Sequence, residues 1–376
     1  MTRVSGSPAD VLIVGGGPSG LVTAIDAARR GLHATVIDRR RPPLDKACGE
    51  GLMPDGVARL EALGVDIRTS RPFRGIRYLE GGLCIDGRFP GSPGLGVRRT
   101  RLHAALLERA ESLGVDLRWG VRADALHDAG GPVPGLVTNH GLMRGRLLVG
   151  ADGLRSKVRQ WAGLARPPRG RPRFGVRRHY ALPPWSDRVE VYWSDDAEAY
   201  VTPVADDEVG VAILWSGRKA GFDDLLCAFP ALADRLAGAE TLSRDRGAGP
   251  LRQRVRSPLR RQVALVGDAA GYVDAITGEG LSLALHQSAA LLEAFTADDL
   301  GSYPRRARDA AFVPEALTHL LLAIEARPRL RRRVLRALAR DPELFERFLA
   351  VHVRHASPWS LAPSAPRMAW RLLAAS

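Results

Sequence analysis

Glycines and carboxylates at three separate places carry most of the chemistry this chain could do. The first place is Gly15-Gly16-Gly17-Pro18-Ser19-Gly20, after the apolar run Asp10–Val14 and at the start of a helical pattern, Pro18–Arg30, that Gly31 ends. Gly15 permits a tight turn, Gly17 lets a pyrophosphate approach the backbone, and Gly20 lets the helix pack on the strand. The helix start adds free N–H groups and a partial positive charge, both favourable to phosphate. Asp38 closes the next apolar run, His33–Asp38, where a carboxylate accepts hydrogen bonds from ribose hydroxyls. It would repel a 2′-phosphate, so the pattern selects NAD or FAD and leaves the two open. No second unit of this kind follows, since "GGPVPG" and "GAGPL" lack the flanking strand and helix. Separate dinucleotide domains for NAD(P)H and FAD are therefore disfavoured.

The second place is "GDAAGYVDAITGEGLSLAL", Gly267–Leu285, after the short strand Val263–Val266. An ordinary strand-to-helix connection needs neither Asp268 nor the glycines at 278 and 280. A bulky anionic ligand lying across the loop accounts for all three. The third place is Asp152-Gly153-x-x-Ser156-x-x-Arg159. Read alone it is a turn with an Asp152–Arg159 ion pair, or part of the same ligand site.

These residues need elements to hold them. Residues 10–38 read as strand, helix, strand, the start of a βαβ unit. "GIRYLEGGLCIDGRF" reads as a hairpin turning at Glu80-Gly81-Gly82, and "RTRLHAALLERAESLG" as an amphipathic helix before the strand "VDLRWGV". Residues 174–216 alternate apolar and polar between short turns, the pattern of an antiparallel sheet. From Ser282 onward the chain reads as mostly helical. The expected fold is α/β with α+β insertions: a Rossmann-like nucleotide domain (1–72, 95–170, 246–300), an inserted antiparallel substrate sheet (73–94, 171–245) and C-terminal helices (301–376).

The three motifs together resemble the GxGxxG, DG and GD fingerprints of the single-component flavoprotein monooxygenases, the p-hydroxybenzoate hydroxylase-like family. Arg99 and Leu102 in "VRRTRLHAAL" match that family's Arg-x-x-Leu helix. The resemblance covers roughly residues 8–295 and implies FAD as the cofactor. It assigns Gly15, Gly17, Ser19, Gly20, Asp38 and Arg39 to the ADP half, and Arg99 to the phosphate or adenine side. It assigns Asp268 to the ribityl chain, Asp152 to a segment serving both FAD and a passing NAD(P)H, and Gly278, Gly280 and Leu281 to the flavin ring. A helix start freed of side chains would face N1 and the C2 carbonyl and stabilise reduced flavin without a lysine.

Other stretches resemble the geranylgeranyl reductase branch of the same superfamily: Lys46-x-Cys48-Gly49 and "TGEG" at Thr277–Gly280. The aromatic run of that branch is only partly present at Tyr200–Pro203, and the halogenase Trp-x-Trp run is absent. Cys48, Glu50, Tyr200 and Pro203 are the candidates for chemistry. Cys48 could lie over the flavin or simply pack, and Glu50 could act as an acid or base, though it reads first as an exposed loop glutamate. Trp193, Tyr200 and Pro203 could wall an apolar pocket. The expected activity is NAD(P)H- and O₂-dependent hydroxylation of a hydrophobic aromatic or polyketide-like molecule through a C4a-hydroperoxyflavin, as in secondary metabolism. The alternative is reduction of an isoprenoid or lipid double bond.

Bulk composition agrees with a folded enzyme. The 376 residues are 45% hydrophobic and 26% charged, within the globular range. The best apolar run, Leu320–Ile324, is far short of a membrane span. No signal-peptide pattern opens the sequence, so the expectation is cytoplasmic. Three scattered cysteines with no CxxC pair argue against a disulfide framework, a structural zinc site or a dithiol redox centre, and no metal is expected. The net charge of +14 rests almost wholly on arginine, with only three lysines. It reads as compositional bias with no nucleic-acid partner, and leaves membrane-surface contact open at Arg327–Arg340.

Overall fold

Ala9–Val14 pairs in parallel with Gly141–Gly150 on one side and Ala34–Asp38 on the other. Asp116–Trp119 and Val263–Leu265 extend the parallel array outward. These pairings come from a computed structural model that describes residues 9–67, 70–217 and 220–364. A central parallel strand is covered on both faces, which is why Val11–Val14 and Val263–Leu265 are continuous apolar runs, buried throughout. The helices Pro18–Arg29 and Arg99–Ser112 supply one cover, through Leu21, Ile25, Leu102 and Leu106. Parallel order has a functional consequence. The carboxyl ends of the strands closed by Val14, Asp38, Gly150 and Leu265 lie along one edge, and ligands of open α/β sheets bind outside that edge. Three motifs far apart in sequence thereby become neighbours.

The second sheet runs Glu240–Thr241, Arg173–Ala181, Glu208–Ser216, Ala197–Ala205, Val189–Trp193, Gly75–Glu80, Leu83–Arg88. Its centre is antiparallel, as the alternation predicts. The 75–88 hairpin joins it by a parallel pairing of Val189–Tyr192 with Ile76–Leu79, which no local pattern announces. One face is apolar: Val176, Val201, Val211 and Ile213 pack against Phe222, Phe229 and Leu232 of two short helices. The opposite face carries Arg173, Arg177, His179, Glu198, Tyr200 and Thr202. That face is stitched to loops of the first sheet by Thr202 Oγ1 to the Gly49 carbonyl (2.7 Å) and Tyr200 Oη to the Ile276 carbonyl (2.9 Å).

The C-terminal region is helical as expected, up to the last described residue. The helix Gly280–Thr296 packs on Pro18–Arg29, where Thr23 Oγ1 and Ser288 Oγ lie 2.8 Å apart. Tyr303 Oη donates to the Leu265 carbonyl at 2.6 Å, fixing the next helix, Tyr303–Glu325, to the parallel sheet. Pro328–Ala339 and Pro342–His352 close over the 75–88 hairpin through Leu335, Phe345 and Leu349. Residues 365–376, included in the expected helical region, lie outside the described residues.

Candidate active site

Gly15 has φ +112°, and a Cβ there would run into the Ala151 carbonyl oxygen; one on Gly20 would run into the Gly15 carbonyl. Both glycines are dictated by packing of the turn. Gly17 differs, since nothing lies within 4 Å of where its Cβ would be. It is the N-cap of the first helix, with no side-chain capping bond, so the helix start faces open space with its backbone donors. Asp38 shapes this turn. Its Oδ2 accepts from the Gly16 N–H (3.0 Å) and its Oδ1 from the Arg40 N–H (2.9 Å). Arg40 Nε stands 4.0 Å from the carboxylate, while Arg39 is exposed.

Two neighbours of the turn escaped sequence reasoning. His103 is fully buried with Nε2 at 2.9 Å from the Gly16 carbonyl, so the neutral ring donates from Nε2 and leaves Nδ1 unpartnered. Trp119 stands where a Gly16 side chain would be and meets His103 edge-on, centroids 6.4 Å apart. The available signal was positional: Trp119 pairs with Asp38 at the ligand edge of the sheet.

The second motif docks directly on the first. Gly267 has φ +58°, and a Cβ on it would collide with Ser19 Oγ, while its N–H donates to Gln287 Oε1 at 2.8 Å. Burial pushes the Asp268 carboxyl pKa up, and the charges of Lys46, Arg99 and Arg159 pull it back down. Arg159 does not form the expected ion pair with Asp152. Its guanidinium donates to the carbonyls of Leu154 (2.6 Å), Asp268 (3.1 Å) and Ala269 (3.2 Å) and to Gln253 Oε1 (2.7 Å), bracing the Asp268 turn from behind. Asp152 Oδ2 instead accepts the N–H groups of Lys157 (2.6 Å) and Val158 (3.2 Å), and its buried Oδ1 has no partner.

Lys46, absent from the predicted site, stands next to these motifs. Its Nζ lies where a Gly153 side chain would stand, beside the third motif. Its side chain is solvent-exposed, yet burial lowers its pKa while Asp268 raises it. Exposure together with desolvation describes the wall of a recess, which Arg99 shares: its Nη1 lies 3.9 Å from Cys48 Sγ and its buried Nε has no partner.

Beyond Asp268 the loop passes under Tyr272, whose ring would meet a Gly280 Cβ at 3.2 Å. Gly278 is exposed with φ +70°, and Gly280 opens the long helix with Leu281 behind it. Glu279 is its N-cap residue, buried, with the carboxyl pKa pushed up to about 8 by burial. A neutral acid leaves the positive end of the helix dipole uncancelled.

The candidates for chemistry separate. Cys48 is half-buried beside Arg99, and Gly49 has only open space where a side chain would be. Glu50 is buried, not an exposed loop acid. Its Oε1 accepts the Arg99 N–H (2.8 Å) and its Oε2 lies 2.5 Å from His179 Nε2. Tyr200 straps the loop at Ile276. Trp193 packs edge-on against Tyr78 at 5.7 Å, beneath the C-terminal helices. Pro203 pairs with Val209 on the opposite, helix-covered face, so the three residues do not wall one pocket. Among the described residues no group of side chains could hold a metal ion.

The recess fits FAD: an open helix start, cations at Lys46 and Arg99, unpartnered buried atoms on Arg99 and Asp152, and a second glycine-opened helix start along one continuous loop. Comparisons agree. Residues 8–302 match the FAD binding domain family. The chain is 31% identical over 323 residues to a menaquinone reductase of Mycobacterium tuberculosis, covering 78% of each chain. It is 37% identical over 175 residues to the 6-methylpretetramide 4-monooxygenase of Streptomyces rimosus, 42% of each chain. The crystal structure of a flavoprotein/dehydrogenase from Cytophaga hutchinsonii shares the fold, with TM-score 0.83 and 17% identity over 96% of each chain. The chain thus belongs to the FAD binding domain family, and is an FAD-dependent oxidoreductase.

Proposed function

We propose that this protein is an NAD(P)H-dependent monooxygenase that hydroxylates a hydrophobic aromatic or polyketide-like molecule. The observation that carries the reading is the polar make-up of the sheet face turned toward the cofactor loop. Arg173, Arg177, Glu198 and Tyr200 lie there, where a pocket built for a saturated or polyprenyl chain would be apolar throughout. Tyr272 adds a phenol beside Gly280, its pKa pushed well above the usual range by burial and by Asp268. The monooxygenase relative supports the same class of substrate.

Bound FAD supplies the electrons taken from NAD(P)H and the activation of O₂. The chain supplies position and charge. Gly17 and the helix start behind it take the pyrophosphate, with Lys46 and Arg99 as counter-charges. Arg159 and Gln287 fix the backbone around Asp268, which would hold the cofactor's sugar chain. Gly278 would let the ring approach the backbone, and the Gly280 helix start would favour negative charge on the ring there. Tyr200 and Arg173 hold that loop against the sheet, excluding water from the reacting face.

A second reading, double-bond reduction in an isoprenoid or quinone side chain, is favoured by the placement of Cys48-Gly49 in the recess and by the menaquinone reductase relative. Purified protein supplied with NAD(P)H and candidate phenols or polyprenyl quinones separates the two. Substrate-stimulated consumption of NAD(P)H and O₂ in equal amounts supports oxygenation. Product formation without O₂ overturns it in favour of reduction.

A further inference from the structure

One buried side-chain cluster on that polar face ties the cofactor loop to the second sheet. Arg173 donates to Asp274 Oδ2 through Nε (2.9 Å), to Glu325 Oε1 through Nη1 (3.0 Å), and to Glu198 Oε1 through Nη2. The three acids come from different parts of the molecule: the cofactor loop, the end of the Tyr303–Glu325 helix, and the second sheet. All four side chains are buried, Glu198 completely. One guanidinium cannot compensate three carboxylates away from water, so the cluster retains a proton. Glu198, the most deeply buried of the three acids, is the one best placed to keep it. Its Oε2 has no partner, and burial pushes its carboxyl pKa up to about 8 against the pull of Arg173 and with the help of Asp274 and Glu325.

Every element around Glu198 bears on that proton. Tyr200 on its own strand and Tyr78 on the hairpin both face it, their phenols held neutral by burial. Trp193 lies opposite it in the strand pairing. Arg331 reaches the far side, donating from Nη1 to the Glu325 carbonyl at 3.2 Å. Asp274 in turn sets the loop, its Oδ1 accepting the Ile276 N–H at 3.2 Å, on the same residue whose carbonyl Tyr200 ties.

We propose that Arg173, Glu198 and Tyr200 are positioning residues that form a proton-holding latch on the cofactor loop, closed while Glu198 is neutral and loosened when it ionises. An ionised Glu198 competes with Asp274 for Arg173 and repels it, so the loop loses its anchor on the sheet. The proposal rests on the reading of Asp274–Gly280 as the flavin-facing segment. Loop closure around FAD then favours the protonated form, and affinity falls as pH rises through the ligand-free titration, by up to about tenfold per pH unit.

Glu279 titrates in the same range from the other end of the loop, facing Arg354 and Asp55. The test is therefore made in a Glu279→Gln background, as titrations of apoprotein with FAD, followed by flavin fluorescence between pH 7 and pH 9. Glu279→Gln is expected to lose roughly tenfold in FAD affinity across that range, and Glu198→Gln/Glu279→Gln less than about twofold. Tyr200→Phe is expected to bind FAD more weakly at every pH with the pH dependence retained, because it removes the tie to the Ile276 carbonyl and leaves the titrating group in place. Equal losses in the single and double variants, a flat profile for Glu279→Gln, or unchanged affinity of Tyr200→Phe overturns the latch while FAD uptake at pH 7 upholds the cofactor reading. Absence of uptake by the unaltered protein at any pH overturns both.

Discussion

Two glycines of one turn divide structure from ligand binding. Gly20 has the Gly15 carbonyl where its Cβ would go, and Gly17 has nothing. Gly20→Ala is expected to cost roughly 2–4 kcal/mol of stability and to abolish FAD uptake together. Gly17→Ala should melt like the unaltered protein, measured by circular dichroism, yet bind FAD at least about tenfold more weakly, because its methyl occupies the ligand's approach. Lys46→Met should also weaken FAD binding, and by less in high salt than in low, since an exposed ammonium is screened. A titration at two ionic strengths checks it. The glycine pattern was legible in the sequence because backbone geometry alone demands those residues. Lys46, His103 and Trp119 were not, because their roles depend on which strand ends lie side by side. Glu50 was misjudged for the same reason: its partners, Arg99 and His179, sit 49 and 129 residues away.

Elements converge on the site from both ends of the chain, and their legibility follows their periodicity. The βαβ opening, the 75–88 hairpin and the alternating strands of 173–216 declared themselves through local spacing. The parallel joint between Val189–Tyr192 and Ile76–Leu79 did not, since pairing across more than a hundred residues leaves no mark on either strand. The C-terminal helices add a titrating element. His352 is buried at the end of Pro342–His352, and burial lowers its pKa to about 4. A histidine depressed on folding contributes stability fully above its unfolded value of 6.5, and that stability is lost as pH falls from there toward 4. The full effect is about 3 kcal/mol. Melting temperature should fall between pH 7 and pH 5 in the unaltered protein and fall less in His352→Leu. An equal fall in both would remove His352 from the acid response.

At the scale of the molecule, one sheet supplies the ligand edge, the other supplies a polar wall, and loops from each hold the other. Ligand binding should therefore be read in global stability. FAD at a hundredfold excess over its Kd stabilises the fold by about 2.7 kcal/mol, and a scan with and without FAD should show a melting temperature higher by several degrees. The family, the cofactor and the layered architecture could be anticipated from three ordered motifs. The substrate could not, because the sheet face proposed to meet it draws Arg173 from one strand and Glu198 and Tyr200 from another. No helix among the described residues is long and apolar enough to cross a membrane. The central claim, oxygenation at that polar wall, is tested most directly by mass spectrometry of the product formed under isotopically labelled O₂. The account predicts one labelled oxygen atom in the product. A product carrying two additional hydrogens and no label would contradict it.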